Sequence, residues 1–453
     1  MNVLMKTLLI IFVVSCTSLP PVGAATDDKK KEATAKPSFV KHPVLHTRYT
    51  KQCKPMGLTK APKQKTRKGY TIDQRNYKRL EKVQQAIVED RYDDALNMLI
   101  PLAESTQSRP YDHAIVNQNL NHVYSIKQDW KQAIKHLKIS IDLDVFSDTR
   151  QKSAIKNLAG LYLTTEQYQK ALDLLLDWFK TAVNPTSSDY TNLAYAYARL
   201  KNNKGAICPT RLAINTSKEK PKQALFDLLL AAHWELKDFS GAAKVLRENI
   251  NYYPETKKLW TTLAGVYGQS KKTMDALAIW ELTYKNGMFE KESEYKSLYS
   301  YYNLHEAPYK AAEMLEREVL RGNVEASEKN WRSIANTWHY AREYDKAIAA
   351  YGKAAALSEN GELFVRQGEL YSDQERWDEA VNAFDKGLEK GGLPKSKEAN
   401  AYYRKGIAYF NAGNVVAAKK DLSTATSFNS RKKSAKSWLN YIEEWQKQQK
   451  LFE

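Results

Sequence analysis

The stretch 360–391 reads NGELFVRQGELYSDQERWDEAVNAFDKGLEKG, and it decides the fold. Its apolar residues recur at three- and four-residue spacing, which places them on one face of a helix. They form two stripes: Phe364, Gly368 and Tyr371, then Trp377, Ala380, Val381, Phe384 and Leu388. A polar break at 373–376 separates the stripes, and Gly391 and Pro394 end the second one. The stretch therefore predicts two helices joined by a short turn.

The same pattern repeats along most of the chain, and a small residue marks each predicted second helix. The markers are Ala95, Ala133, Ala171, Ala206, Ala242 or Ala243, Ala276, Ala311 or Ala312, Ala347, Ala380 and Ala418. A Tyr or Trp precedes most of them by nine residues: Tyr124, Tyr162, Tyr197, Tyr267, Trp338, Tyr371 and Tyr409. A methyl side chain lets two helices cross closely, and a larger one would overpack the crossing. We therefore expect stacked helix pairs with these residues in the core.

In this pattern the chain resembles the tetratricopeptide repeat family, whose repeat is a helix–turn–helix unit of about 34 residues. The family's characteristic positions are filled, in order, by Gly368, Tyr371, Trp377, Ala380 and Phe384. The resemblance implies an all-α fold, a right-handed superhelical solenoid of about ten repeats over 73–430. Residues 431–453 resemble the capping helix that covers the last exposed face of a solenoid. Its predicted apolar face is formed by Trp438, Leu439, Ile442 and Trp445.

The start of the chain predicts export. An apolar run at 7–14 is too short to span a bilayer but has the length of a signal-peptide core. Small residues at 22–24 precede a cleavage point, so we expect a signal peptide over 1–24 and a periplasmic protein. A competing interpretation is a bacterial lipobox ending at Cys16, which would carry lipid and anchor the protein to a membrane.

Residues 25–72 have a different composition from the repeats. Their first 46 residues hold thirteen Lys and Arg against three acids, within a chain of net charge +18. Four prolines and the absence of helical periodicity predict a basic, mostly disordered arm. The arm is either a solubilising tail or an electrostatic contact with an acidic partner or an anionic lipid surface. Nucleic acid is not expected as a partner of an exported protein.

Two cysteines, Cys53 in the arm and Cys208 in the fourth repeat, remain once the signal is set aside. An oxidising compartment permits a disulfide between them, which would tie the arm across the solenoid. The alternative is two free thiols, with Cys208 filling a small space in the core.

The sequence contains none of the common catalytic, nucleotide-binding or zinc motifs. HExxH, GxxxxGK[ST], GxSxG, GxGxxG and CxxC are all missing, and the eight histidines are scattered without metal-ligand spacing. Carboxylates alternate with lysines as they do on solvated helix surfaces. We therefore expect a protein that is not an enzyme and has no cofactor and no metal.

The family resemblance implies binding of peptides or protein segments on a concave face lined by first helices. Some members clamp a C-terminal carboxylate there with basic and amide side chains. The corresponding positions hold Arg332 and Asn336 in the eighth repeat, Arg366 where the clamp has Asn, Asn400 where it has Lys, and Arg404 at the last place. Arginine suits this role because its fork binds both carboxylate oxygens. The alternative is that these five residues are ordinary solvent-exposed polar and charged side chains that bind no ligand.

The whole chain also resembles exported Gram-negative proteins that accompany the TonB–ExbB–ExbD energy-transduction components. That resemblance implies a scaffold that assists uptake of iron compounds, with components of this system as partners. The alternative is an outer-membrane-anchored lipoprotein scaffold in envelope assembly. An enzyme is disfavoured, because the repeats leave no room for a separate domain of about 100 residues.

Overall fold

A computed structural model describes residues 53–60 and 70–452, and the described residues form 21 α-helices. In chain order these are α1 Gln74–Val88, α2 Tyr92–Ser105, α3 Pro110–Ile126, α4 Trp130–Asp142, α5 Asp148–Thr164, α6 Tyr168–Thr181, α7 Ser187–Arg199, α8 Asn203–Asn215, α9 Gln223–Glu235, α10 Phe239–Tyr252, α11 Lys257–Gln269, α12 Thr273–Lys285, α13 Glu292–Leu304, α14 Pro308–Leu320, α15 Glu328–Tyr340, α16 Tyr344–Leu357, α17 Glu362–Asp373, α18 Trp377–Lys390, α19 Lys395–Asn411, α20 Val415–Thr426 and α21 Lys432–Phe452.

Helices α1 to α20 form ten consecutive pairs, and each pair packs against the next. Some first helices of successive pairs also touch directly, as α5 touches α7 and α17 touches α19. We call the surface formed by the odd-numbered helices the first-helix face. The all-helical architecture agrees with the sequence prediction, and the handedness of the superhelix stays a prediction.

The marker alanines explain the regularity of the pairs. Each is the fourth residue of its second helix and is buried, and the two ambiguous markers resolve to Ala242 and Ala311. The N–H of each alanine donates to the carbonyl of the residue before the helix, for example Ala380 to Arg376 at 2.9 Å. This is the first hydrogen bond of the second helix, so the methyl group is fixed where the two helices cross.

Every turn between a first and a second helix has the same backbone geometry. The residue five positions before the alanine has a positive φ, and the next N–H bonds back to the carbonyl nine positions before the alanine, which is a Schellman cap. The ten left-handed residues are Asp90, Gln128, Glu166, Lys201, Lys237, Lys271, Glu306, Arg342, Glu375 and Gly413. The repeated motif is therefore defined by its turn as well as by its apolar faces.

The last helix, α21, packs on α20 through the face that the sequence identified. Ile442 is fully buried, and the ring of Phe410 lies 5.9 Å from Trp438 and 5.3 Å from Trp445, between ring centroids. These contacts cover the apolar surface that the tenth pair would otherwise expose.

Residues 53–60 lie against the third and fourth helix pairs. Leu58 forms a short parallel bridge with Val183, in which its N–H donates to the carbonyl of Ala182 at 2.7 Å. The hydroxyl of Tyr190 donates to the carbonyl of Met56 at 2.8 Å. Cys53 and Cys208 form a disulfide with 5.3 Å between their Cα atoms, a separation typical of disulfides.

Backbone hydrogen bonds and the disulfide hold residues 53–60 of the predicted arm in place, and the mostly disordered character expected for 25–72 stays a prediction. The rest of the predicted arm up to residue 69 lies outside the described residues, as do the signal over 1–24 and Cys16. In the described part of the chain, no helix combines the length and the apolar character that crossing a membrane requires.

Candidate functional site

The five residues predicted from the sequence all lie on consecutive first helices. Arg332 and Asn336 are on α15, Arg366 is on α17, and Asn400 and Arg404 are on α19. Four-residue spacing keeps each helix's pair on one side. The structure brings the five residues together in two groups that share Arg366.

The first group lines a small cleft between α15 and α17. Arg332, Asn336 and Arg366 face it, and Lys397 of α19 borders it. Its volume is about 180 Å³, below the roughly 300–1,000 Å³ of typical small-molecule sites. The side chain of Asn336 accepts a hydrogen bond from the hydroxyl of Tyr351, and Arg332 pairs with Glu328 at 2.6 Å. A cleft of this size can hold a side chain or a chain terminus.

The second group converges on one carboxylate of the chain itself, that of Glu369. Arg366 donates to it at 2.7 Å and the amide of Asn400 at 2.8 Å, while the Nε of Arg404 lies 3.9 Å away. The side chain of Glu369 is only 13% exposed. The carboxylate of Glu369 thus lies among the same basic and amide side chains that were predicted to bind the C-terminal carboxylate of a partner.

This arrangement determines how available each group is for a ligand. The hydrogen bond to Glu369 raises the pKa of Arg366 above its ordinary value, although burial lowers it. Arg404 also pairs with Asp373 at 3.3 Å, and the amide oxygen of Asn400 accepts from Arg431. Asn400 is buried and its amide is used on both sides, so it positions Glu369 and is not free for a ligand. The arginines remain accessible in part.

Sequence reasoning missed Glu369, Lys397 and Tyr351. For Glu369 a signal existed, because it stands three residues after Arg366, a spacing at which helical side chains of opposite charge pair. Lys397 precedes Asn400 on α19 by three residues, which is also a helical spacing, whereas Tyr351 lies on α16 and no spacing in the sequence links it to this site.

A larger cavity of about 560 Å³ lies between α14 and α16. Two aromatic rings form part of its wall, and the ammonium group of Lys346 lies over both of them. It is 4.6 Å from the ring centroid of Tyr309 and 4.5 Å from that of Trp338. The indole N–H of Trp338 donates to Glu316 at 2.8 Å. Because Lys346, Trp338 and Glu316 already have partners within the protein, this cavity is a weaker candidate. Across residues 53–60 and 70–452 there is no group of three potential metal ligands.

Comparison with known proteins identifies the repeats. A family model described as the SusR N-terminal TPR domain matches residues 69–182, which cover the first three helix pairs. A tetratricopeptide repeat model matches residues 365–423, which cover most of the ninth and tenth pairs. The chain is a tetratricopeptide repeat protein. Proteins of this family generally mediate protein–protein interactions and are generally not catalytic.

Several solved structures of tetratricopeptide repeat type are similar to parts of the chain. MamA is 20% identical, covering 40% of this chain and 96% of its own, with a TM-score of 0.30. YrrB, described as a TPR protein with an unusual peptide-binding site, is 20% identical over 43% of this chain and 97% of its own, with a TM-score of 0.31. A repeat protein from Parabacteroides merdae is 15% identical over 57% and 98%, with a TM-score of 0.27. No curated protein matches the sequence.

Proposed function

We propose that this protein is a non-catalytic periplasmic scaffold that binds a protein partner through its first-helix face. The observation that carries the proposal is the convergence of Arg366, Asn400 and Arg404 on the carboxylate of Glu369. These groups recognise a carboxylate geometrically, and the cleft beside them has room for one more acidic group. The partner therefore presents an acidic side chain or a C-terminal carboxylate.

Binding proceeds by exchange of carboxylates. Arg366 and Arg404 are partly exposed, so an incoming acid can share or replace the contacts of Glu369 without unfolding a helix. Arg332 and Lys397 stand at the rim, each paired with an acid that is itself partly exposed. Ion pairs of this kind are weak, about 0–1 kcal/mol each, and a partner can rearrange them at little cost.

The transport role is the narrower part of the proposal. It is supported by the resemblance of the signal, the basic arm and the repeats to exported proteins that accompany TonB, ExbB and ExbD. We propose that the partner belongs to such a system and that the scaffold assists uptake of iron compounds.

In-cell photocrosslinking tests both parts. A photoreactive residue replaces Lys397, which borders the cleft, and in a matched variant it replaces Lys386, an exposed lysine on α18. We expect a discrete adduct from position 397 and none from position 386. Adducts of equal strength at both positions, or none at 397, would contradict binding at the first-helix face.

Mass spectrometry of the adduct then tests the transport role. TonB, ExbB, ExbD or one of their receptors is the expected partner. Envelope-assembly factors, together with lipid on Cys16, would instead favour the outer-membrane lipoprotein and remove the transport role.

A further inference from the structure

The turns between first and second helices of successive pairs line one edge of the repeats, and their charge changes sign along it. We call residues 199–204, 235–240 and 269–274, from the fourth to sixth pairs, the basic turn edge. Its cations are Arg199, Lys201, Lys204, Lys237, Lys271 and Lys272, and its acids are Glu235 and Asp238. The same turn positions of the seventh to ninth pairs hold two cations, Arg342 and Arg376, and six acids, Glu306, Glu343, Asp345, Asp373, Glu375 and Asp378.

The lysines of the basic turn edge are exposed to solvent. All five are exposed, and none forms an ion pair with another described residue. Arg199 differs, since it pairs with Glu166 at 3.5 Å and stacks on Tyr168. These cations are spaced along three turns of successive pairs, and they outnumber the two acids of the edge, so the described residues leave a positive field there.

Large, partly exposed apolar side chains stand close to these lysines in the sequence. Trp234 is 43% exposed, Leu236 is 45% exposed and Met274 is 63% exposed. Trp234 and Leu236 lie on either side of the last residue of α9, just before the left-handed residue Lys237. All three lie at helix ends beside these turns, and the two cavities described above are formed by other residues.

We propose that the basic turn edge binds an anionic lipid surface. Lysines near such a surface gain attraction from anionic headgroups, and their long stems let the ammonium groups reach the phosphates while apolar neighbours enter the membrane. A Trp prefers the boundary between headgroups and hydrocarbon. Exposed cations and apolar side chains that lie outside the cavities suit a lipid surface, whereas peptide recognition commonly uses a groove or a free backbone edge. This proposal does not depend on the partner site of the first-helix face.

Cosedimentation of the full chain with vesicles tests the proposal. The vesicles are equimolar phosphatidylglycerol and phosphatidylcholine, with phosphatidylcholine alone for comparison. The double variant Lys237→Gln/Lys271→Gln should bind the anionic vesicles about tenfold or more weakly, since each lysine contributes roughly fivefold. Leu236→Ser/Met274→Ser should also weaken binding. Neutral vesicles should leave the protein in the supernatant.

Two matched control variants distinguish binding by this edge from nonspecific electrostatic and hydrophobic adsorption to vesicles. Lys386→Gln/Lys420→Gln removes the same charge from exposed positions on second helices, and Leu304→Ser/Tyr340→Ser removes exposed apolar side chains from turns of the acidic pairs. Both should bind as the wild type does. Equal losses in a control and its test variant would overturn the proposal. It would also be overturned if soluble polyglutamate bound through the same lysines as tightly as the vesicles, because the edge would then be a site for an acidic protein.

Discussion

At the scale of single residues, the sequence predicted the helix crossings and the position of the short turns, but not the backbone geometry of the turns. Alanine and tyrosine recur at fixed spacing, and the structure buries every marker alanine. The left-handed turn residue escaped notice because nine of its ten occurrences are not glycine. A position filled by Asp, Gln, Glu, Lys or Arg carries no sequence signal for positive φ, although the stacked helices impose that conformation each time.

The positive φ of the turn residue predicts that replacing it with glycine makes the folded protein more stable. Glu375 has φ 59°, and Gly413 holds the same position one pair later. A residue with a Cβ loses about 1–2 kcal/mol in the left-handed region, and glycine loses roughly 0.5–1 kcal/mol through entropy. Glu375→Gly should therefore raise the free energy of unfolding by about 0.5–1 kcal/mol, and Gly413→Ala should lower it by a similar amount, both measured by urea denaturation. Shifts in the same direction would refute the assignment.

His136 makes stability depend on pH. Its Nδ1 lies 2.8 Å from the side-chain oxygen of Asn117, and its ring stacks on Tyr124. Burial, together with the nearby charges of Lys135 and His113, lowers the pKa of His136 from 6.5 to about 4. Between these two values the unfolded chain binds a proton that the folded chain does not, so stability falls as pH falls through this window and this contribution is constant above it.

We expect His136 to account for about 1–2 kcal/mol of that loss, a figure reduced from the full shift because the ring is partly exposed. His136→Gln should flatten the plot of unfolding free energy against pH between about 6.5 and 4, while the exposed His122 substituted in the same way should not. Parallel plots for wild type and His136→Gln would show that another group causes the dependence.

At the scale of elements, helices were predictable and the segment 53–60 was not. A helix is recognised in a sequence by its periodicity, but these eight residues outside any helix have none, and their partners lie far along the chain. The hydroxyl of Tyr190 is 134 residues from Met56. Gly57 has φ 91°, and a Cβ there would lie 2.7 Å from the Cγ of Pro185. The two cysteines gave the only sequence signal for this contact.

The disulfide should stabilise the third and fourth helix pairs. It closes a sequence separation of 155 residues, and removing a native disulfide costs about 2–5 kcal/mol. Cys53→Ser and Cys208→Ala should each lower the melting temperature, and reduction should lower that of the wild type but not of either variant. A thiol assay on the unfolded, unreduced protein from which residues 1–24 have been removed should find no free thiol, and two thiols would exclude the bond.

At the scale of the whole molecule, the sequence indicated a binding surface but not that an acid of the chain itself, Glu369, contacts its basic residues. Five basic and amide residues were predicted to meet on first helices, and they do lie on α15, α17 and α19. The spacing of Glu369 from Arg366 indicated an ion pair on one helix, but not that Asn400 and Arg404 of the next first helix would meet the same carboxylate. Its burial and its contacts with Arg366 and Asn400 depend on how two neighbouring pairs stack.

The central claim is that the first-helix face binds an acidic group of a partner by exchange with Glu369. The most direct measurement uses the partner that crosslinking identifies. Isothermal titration calorimetry gives its affinity for the wild type, for Arg366→Gln and for Glu369→Gln. Loss of the arginine should weaken binding about tenfold, because a charge-assisted hydrogen bond contributes roughly 1.5–3 kcal/mol. Loss of the internal acid should strengthen binding, because its arginines become available. Unchanged affinity in both variants, or weaker binding in both, would contradict the account.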